Sequence, residues 1–165
     1  RGQQIVSALG DGTGLGVSIS YAPEPEGALD TGGGIYAALP LLGTKPFVVV
    51  NADIWTDFPF ARLPPPARQA HLVLVRNPEH HPEGDFALAA GLARRLGEPR
   101  YTYSGISVFQ PEFFARCEPG RFALAPVLRN AMDQDQVTAE LHEGKWVDVG
   151  TPERLAEVGR QTGMP

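Results

Sequence analysis

The stretch "PFVVVNAD" (46–53) constrains the fold more than any other part of the chain. A β-branched run with no polar break reads as a strand buried on both faces, and such strands belong to sheets covered by further layers. "AHLVLVRN" (70–77) has the same character. "VSISYA" (17–22) alternates as a strand does, "GDFALA" predicts a short strand, and "YTYSGISVFQ" (101–110) a longer one. Helical patterns lie between them. They cover residues 1–9, residues 31–42 with Thr31 or Asp30 as cap, "PEFFARC" with proline in its first turn, "LAPVLRNAM" and "PERLAEVGRQ". "VTAELHEG" reads as an edge-type strand, and "KWVDVGT" as a strand entering a turn. Strands alternating with helices predict a single α/β domain over residues 1–165, built on a mostly parallel, buried sheet.

Composition narrows the chemistry. The 165 residues are 42% hydrophobic and 20% charged, enough for one domain with a real core. A net charge of −5 argues against a general nucleic-acid or anionic-membrane surface. Phosphate chemistry would therefore draw on backbone donors, a metal ion, or residues outside this chain. The lone Cys117 excludes an internal disulfide and a cysteine-based zinc site, and no activating partner for a thiol nucleophile is evident. No G-x-S-x-G supports a serine hydrolase. No apolar run approaches the length of a membrane span and no signal peptide is visible, so the expected compartment is the cytoplasm. The chain opens at Arg1 inside a helical pattern, which predicts a segment upstream of it.

Several residues carry chemical potential. The glycines of "GDGTGLG" (10–16) recur at every second position and do not fit G-x-G-x-x-G, so they read as a helix stop. In "LDTGGG" (29–34) the bare backbone of Gly32, Gly33 and Gly34 admits close approach of a base edge, a phosphate at the helix start, or no ligand at all. No lysine follows as a P-loop requires, which counts against phosphate. Asp53 ends an apolar strand, where ligands of open α/β sheets gather, and reads either as a Mg²⁺ ligand or as the cap of the next turn. Asp148 sits among Trp146, Val147 and Val149, where a lone carboxylate is costly unless paired or coordinated. If the two converge they make a two-carboxylate Mg²⁺ site of the kind that carries substrate phosphates; otherwise they are unrelated structural aspartates. Asp57 reads as a loop cap. His80 and His81, being adjacent, do not easily share one metal, and their loop reads as solvated. Gly84 and Asp85 mark where that loop tightens. Ser104 and Gly105, inside a strand, signal either close ligand approach or a β-bulge.

Taken in order, "LDTGGGI", "FVVVNADIWTD", "NPEHHPEGDF", "YSGISVF" and "KWVDVGTPERL" resemble the sugar-1-phosphate nucleotidylyltransferases from Arg1 to about Ala156. The resemblance implies a Rossmann-like α/β sandwich with a mixed sheet and helices on both faces. It implies nucleotidyl transfer from UTP to a sugar-1-phosphate, N-acetylmuramate-1-phosphate in the branch matched best, with release of pyrophosphate. By position, Asp53 and Asp148 match catalytic Mg²⁺ ligands; Thr31, Gly32 and Gly33 match the nucleotide-binding segment; Gly84, Asp85, Ser104 and Gly105 match the sugar pocket. Ala52 stands where the family has glycine. The family's phosphate-cradling loop, G-x-G-x-R with a later lysine, is not in these residues. The resemblance therefore places the first strand–helix units ahead of Arg1 and predicts little activity for these residues alone. Mannose-1-phosphate guanylyl transfer, and a non-catalytic scaffold or sensor of the same fold, are the alternatives. The oligomeric state is not legible.

Overall fold

A computed structural model describes residues 2–24 and 27–162. They gather into two compact units, residues 1–43 with 116–127, and residues 44–115 with 128–165. Pro25, Glu26 and Arg1, the last belonging to the first helical pattern, lie outside the described residues.

In the first unit, α1 (Gly2–Leu9) buries none of its residues. α2 (Asp30–Leu42) follows the expected pattern but is capped differently. Leu29 holds the N-cap position without a side-chain bond, while Asp30, at φ 63°, accepts from the adjacent Thr31 amide at 2.7 Å. Glu24 Oε2 accepts from the Leu29 amide at 3.0 Å instead. Gly32 and Gly33 are buried because this unit's own segment 116–127 lies against them. The Gly33 amide donates to the Phe122 carbonyl at 3.1 Å, and the Phe122 amide to the Leu29 carbonyl at 3.1 Å. A Cβ on Gly32 would meet the Phe122 ring at 2.5 Å, and one on Gly33 would overlap the Gly120 carbonyl oxygen. The expected strand at 17–22 does not form. Alternation permits a strand, but no strand among the described residues pairs with it.

The second unit holds β1 (Phe47–Val50), β2 (Ile54–Thr56), β3 (Ala70–Val75), β4 (Phe86–Ala89), β5 (Leu92–Arg94), β6 (Arg100–Phe109), β7 (Val137–His142), β8 (Trp146–Asp148) and α4 (Pro152–Thr162). Helix α3 (Leu124–Met132) carries the chain from the first unit into the second. Six strands form one mixed sheet in the order β1-β6-β3-β7-β5-β4, with β4 also paired to β6; β2 and β8 form a separate two-stranded ribbon. The α/β class and mixed sheet are as expected, but the parallel majority is not found: among the described strands only β3 and β7 run parallel. All six residues of β3 are buried between antiparallel β6 and parallel β7. A continuous apolar run reports burial on both faces, which parallel strands need but do not monopolise.

Two further strands depart from expectation. β7 is internal rather than an edge, because the unforeseen β5 pairs with it at Leu92–Thr138. β1 is half-open: Phe47 is buried, while Val48 and Val50 are 48% and 45% exposed. "PEFF" forms a 3-10 turn, not an α-helix, and packs Phe113 and Phe114 against Phe109 at ring separations of 4.8 and 5.4 Å.

Candidate active site

The ribbon β2–β8 positions the site. Its register sets Ile54 opposite Asp148, and the Val149 amide donates to the Asp53 carbonyl at 2.8 Å, so both aspartates flank one end of the ribbon. The other end is clamped by Asp57, whose Oδ1 accepts from the Lys145 amide at 2.8 Å and from His142 Nε2 at 2.9 Å. Asp57 thus ties together segments far apart in sequence, where a local loop cap was expected. The two site carboxylates converge on Gly150. A Cβ built there would lie 2.9 Å from Asp148 Oδ1 and 3.6 Å from Asp53 Oδ2. Gly150 leaves the space between them open.

Asp148 is heavily committed. Its Oδ1 accepts from the Gly150 amide at 2.8 Å, its Oδ2 from Arg154 Nη1 at 2.8 Å, and His80 Nε2 lies 3.4 Å from that same Oδ2. The Gly150 amide holds the carboxyl below its ordinary range; partial burial opposes it, and the charges of Arg154 and His80 reinforce it. Asp148 is therefore an anion at neutral pH. A lone carboxylate is costly in an apolar strand, and this one is paired.

Both aspartates line a cavity of about 340 Å³ in the second unit. Asp85 lines it too, its Oδ2 accepting from the Tyr103 amide at 2.8 Å and its Oδ1 facing His81 Nε2 at 3.2 Å. Ser104 and Gly105 reach the wall, but the Ser104 hydroxyl is spent internally. It donates to the Val73 carbonyl at 2.7 Å and accepts from the Ile106 amide at 3.1 Å, beside the register shift between Val73 and Leu74. Of the two readings of Ser104 and Gly105, the β-bulge is present. Gly105 has φ 82°, and a Cβ there would strike the Asn51 side chain at 2.8 Å. Gly84 is buried under Asn77 and outside the cavity lining. Thr31, Gly32 and Gly33 belong to the first unit.

His80, His81, Asn51 and Trp146 also line the cavity, so the histidine loop is not merely solvated, and Asn51 and Trp146 carry no signal of a site in the sequence. Adjacent histidines cannot easily face one metal. In the folded chain they face two different aspartates, Asp148 and Asp85. Among the described residues no three histidine, cysteine or acidic side chains form a metal cage. Two convergent carboxylates with open space between them nonetheless suit Mg²⁺, which takes one or two carboxylates and fills its shell with water and phosphate oxygens.

Comparison with known proteins bears on this arrangement. No family model matches the chain. Over 172 residues it is 48% identical to the N-acetylmuramate alpha-1-phosphate uridylyltransferase of Neisseria meningitidis, covering 98% of this chain and 74% of that protein. The chain belongs to the sugar-1-phosphate nucleotidylyltransferases. The same-named enzyme of Caulobacter vibrioides is 35% identical, with 89% and 67% covered. A mannose-1-phosphate guanylyltransferase catalytic subunit beta of Dictyostelium discoideum is 30% identical but matched over only 42% of its length. The nucleotidylyltransferase fold recurs in solved structures. The inositol-1-phosphate CTP transferase of T. maritima superposes with a TM-score of 0.75 at 15% identity, covering 99% of this chain and 71% of that one. A Bacillus anthracis structure described as a glucose-1-phosphate thymidylyltransferase gives 0.77 at 18% identity, with 96% and 71% covered.

Proposed function

We propose that the protein transfers a uridylyl group from UTP to N-acetylmuramate-1-phosphate, giving the UDP-sugar and pyrophosphate for the reuse of cell-wall sugars in the cytoplasm. The observation that carries this reading is the convergence of Asp53 and Asp148 on Gly150 at a cavity wall, in a chain 48% identical to a uridylyltransferase of that name. A phosphate oxygen of the sugar-1-phosphate attacks the α-phosphorus of UTP. The new P–O bond forms as the bond from that phosphorus to the pyrophosphate oxygen breaks. A phosphate monoester is already an anionic nucleophile at neutral pH, so no general base is required, and none is assigned.

Asp53 and Asp148 would hold Mg²⁺, which when bound supplies charge neutralisation between the two substrates' phosphates. Arg154 keeps Asp148 oriented toward Asp53 through its 2.8 Å hydrogen bond. Asp85 and Gly105 wall the sugar side, with Gly84 and Ser104 shaping the backbone behind them. Thr31, exposed at the start of α2, is the residue of the 31–33 segment best able to meet the nucleotide, because the bare faces of Gly32 and Gly33 are filled by Phe122 and Gly120. Asp148→Asn and Asp53→Asn should each lower pyrophosphate release by roughly a thousandfold without unfolding the protein. A rate within a few-fold of wild type for either variant would remove that residue as a metal ligand.

A further inference from the structure

The connection from β7 to β8 runs through His142, Glu143, Gly144 and Lys145, and it aims the strand that carries Asp148. A four-residue turn often closes with a hydrogen bond from its last amide to its own first carbonyl. Among the described residues no such bond forms here. The Lys145 amide donates instead to Asp57 Oδ1 at 2.8 Å. His142, at the start of the turn, reaches the same oxygen, its Nε2 lying 2.9 Å away. A carboxylate oxygen only accepts, so that nitrogen carries the hydrogen. Asp57 thus stands inside the turn in place of the missing backbone bond. Gly144 makes the room, since a Cβ there would overlap both Asp57 Oδ1 and the His142 ring.

This arrangement links the ribbon to the main sheet. His142 pairs with Val75 in that sheet and lies edge-to-face on Phe58 at a ring separation of 5.2 Å. Asp57 directly follows β2, so its one oxygen joins β2, β7 and the entry to β8. The ribbon itself is only three residue pairs long, and a two-stranded unit of that size holds its geometry poorly alone. The Trp146 indole N–H fixes one point of β8 on the Ser104 carbonyl at 2.9 Å. The Asp57 bonds fix a second point, so the strand does not swing about the first. Asp148 lies two residues beyond Trp146 and inherits that orientation. Asp57 lies outside the cavity lining and acts on the site only through the ribbon. Precision matters there, because Mg²⁺ demands near-ideal octahedral geometry from the carboxylates that share it.

We propose that Asp57 is a positioning residue for the metal site, closing the β7–β8 turn and thereby setting the spacing of Asp53 and Asp148 for a divalent cation. The inference rests on the reading of those two aspartates as Mg²⁺ ligands. Both Asp57 bonds end on one oxygen, which an amide supplies as well. Asparagine should therefore serve at position 57, whereas at a metal ligand it should fail. The test titrates the full-length protein with Mn²⁺ alone and follows the free ion by its electron paramagnetic resonance signal. Asp57→Ala should weaken Mn²⁺ binding by roughly tenfold or more. Asp57→Asn should stay within about twofold of wild type, and His142→Phe, which keeps a ring against Phe58 but no donor, should lose about threefold or more. Folded Asp57→Ala, checked by circular dichroism, that binds Mn²⁺ as wild type does would overturn the proposal. So would Asp57→Asn as weak as Asp57→Ala, because charge rather than the turn would then decide. If Asp57→Ala does not fold, His142→Phe decides in its place, and wild-type binding by it overturns the proposal. The titration needs neither UTP nor sugar, so a different nucleotide or sugar preference leaves its result intact. If wild type bound no Mn²⁺, the metal reading of Asp53 and Asp148 would fall, and this inference with it.

Discussion

At the residue scale the decisive position is Gly150, where the missing side chain leaves room between two carboxylates. Gly150→Ala should push Asp148 Oδ1 off its present place while leaving the ribbon β2–β8 folded. The expected result is a catalytic rate at least about tenfold lower, with a melting temperature lowered only by the loss of the one Gly150–Asp148 hydrogen bond; wild-type activity would contradict it. Asp148 also gives a signed pH dependence. Its folded pKa lies below the ordinary 3.8, so the native state binds fewer protons than the unfolded chain as pH falls. Its contribution to stability is then complete above about pH 4 and lost as pH drops through the folded value. Chemical denaturation of wild type and Asp148→Asn should show a gap that is flat from neutral to mildly acidic pH and closes below that. A gap that widens toward acid would reverse the assignment. Asp53 and Asp148 were legible because carboxylates beside apolar strand ends need a cation or a donor. Gly150 and Arg154 were not, since a glycine and an arginine in a turn carry no signal until the fold sets Asp148 beside them.

The elements show the limits of pattern more clearly. Runs such as 70–75 announced buried strands correctly, yet could not say which neighbours they take, and β3 took one of each direction. β5 went unseen because three residues are too few for a period to register. The triple glycine was the most ambiguous signal, and the structure divides its roles. Gly33 makes room for the Gly120 carbonyl, whereas a Cβ on Gly34 would meet only the Glu24 side chain, at 3.2 Å. The two positions should therefore respond oppositely to alanine. Gly33→Ala is expected to destabilise by about 1–3 kcal/mol through overpacking against backbone. Gly34→Ala should be neutral or stabilising by up to about 1 kcal/mol through helix propensity. Thermal melts of both variants check the pair, and equal shifts would mean that α2 does not pack on segment 116–127 through Gly33.

For the whole molecule, five short motifs in order identified the family, and a relative with 48% identity over 98% of the chain established membership. Membership fixes nucleotidylyl transfer as the chemistry to be explained. Some side chains take on meaning only when the fold brings them to one wall, as it does His80 and Asp148. The ordering of motifs is a property of sequence, whereas the spending of donors on internal partners is a property of packing. The most direct measurement is pyrophosphate release by the full-length protein with Mg²⁺, using UTP or GTP against N-acetylmuramate-1-phosphate or mannose-1-phosphate. The account predicts rapid release with UTP and N-acetylmuramate-1-phosphate, and release at least roughly tenfold slower with either substrate exchanged. Preferential turnover of GTP with mannose-1-phosphate, or no release from any pair, would contradict it.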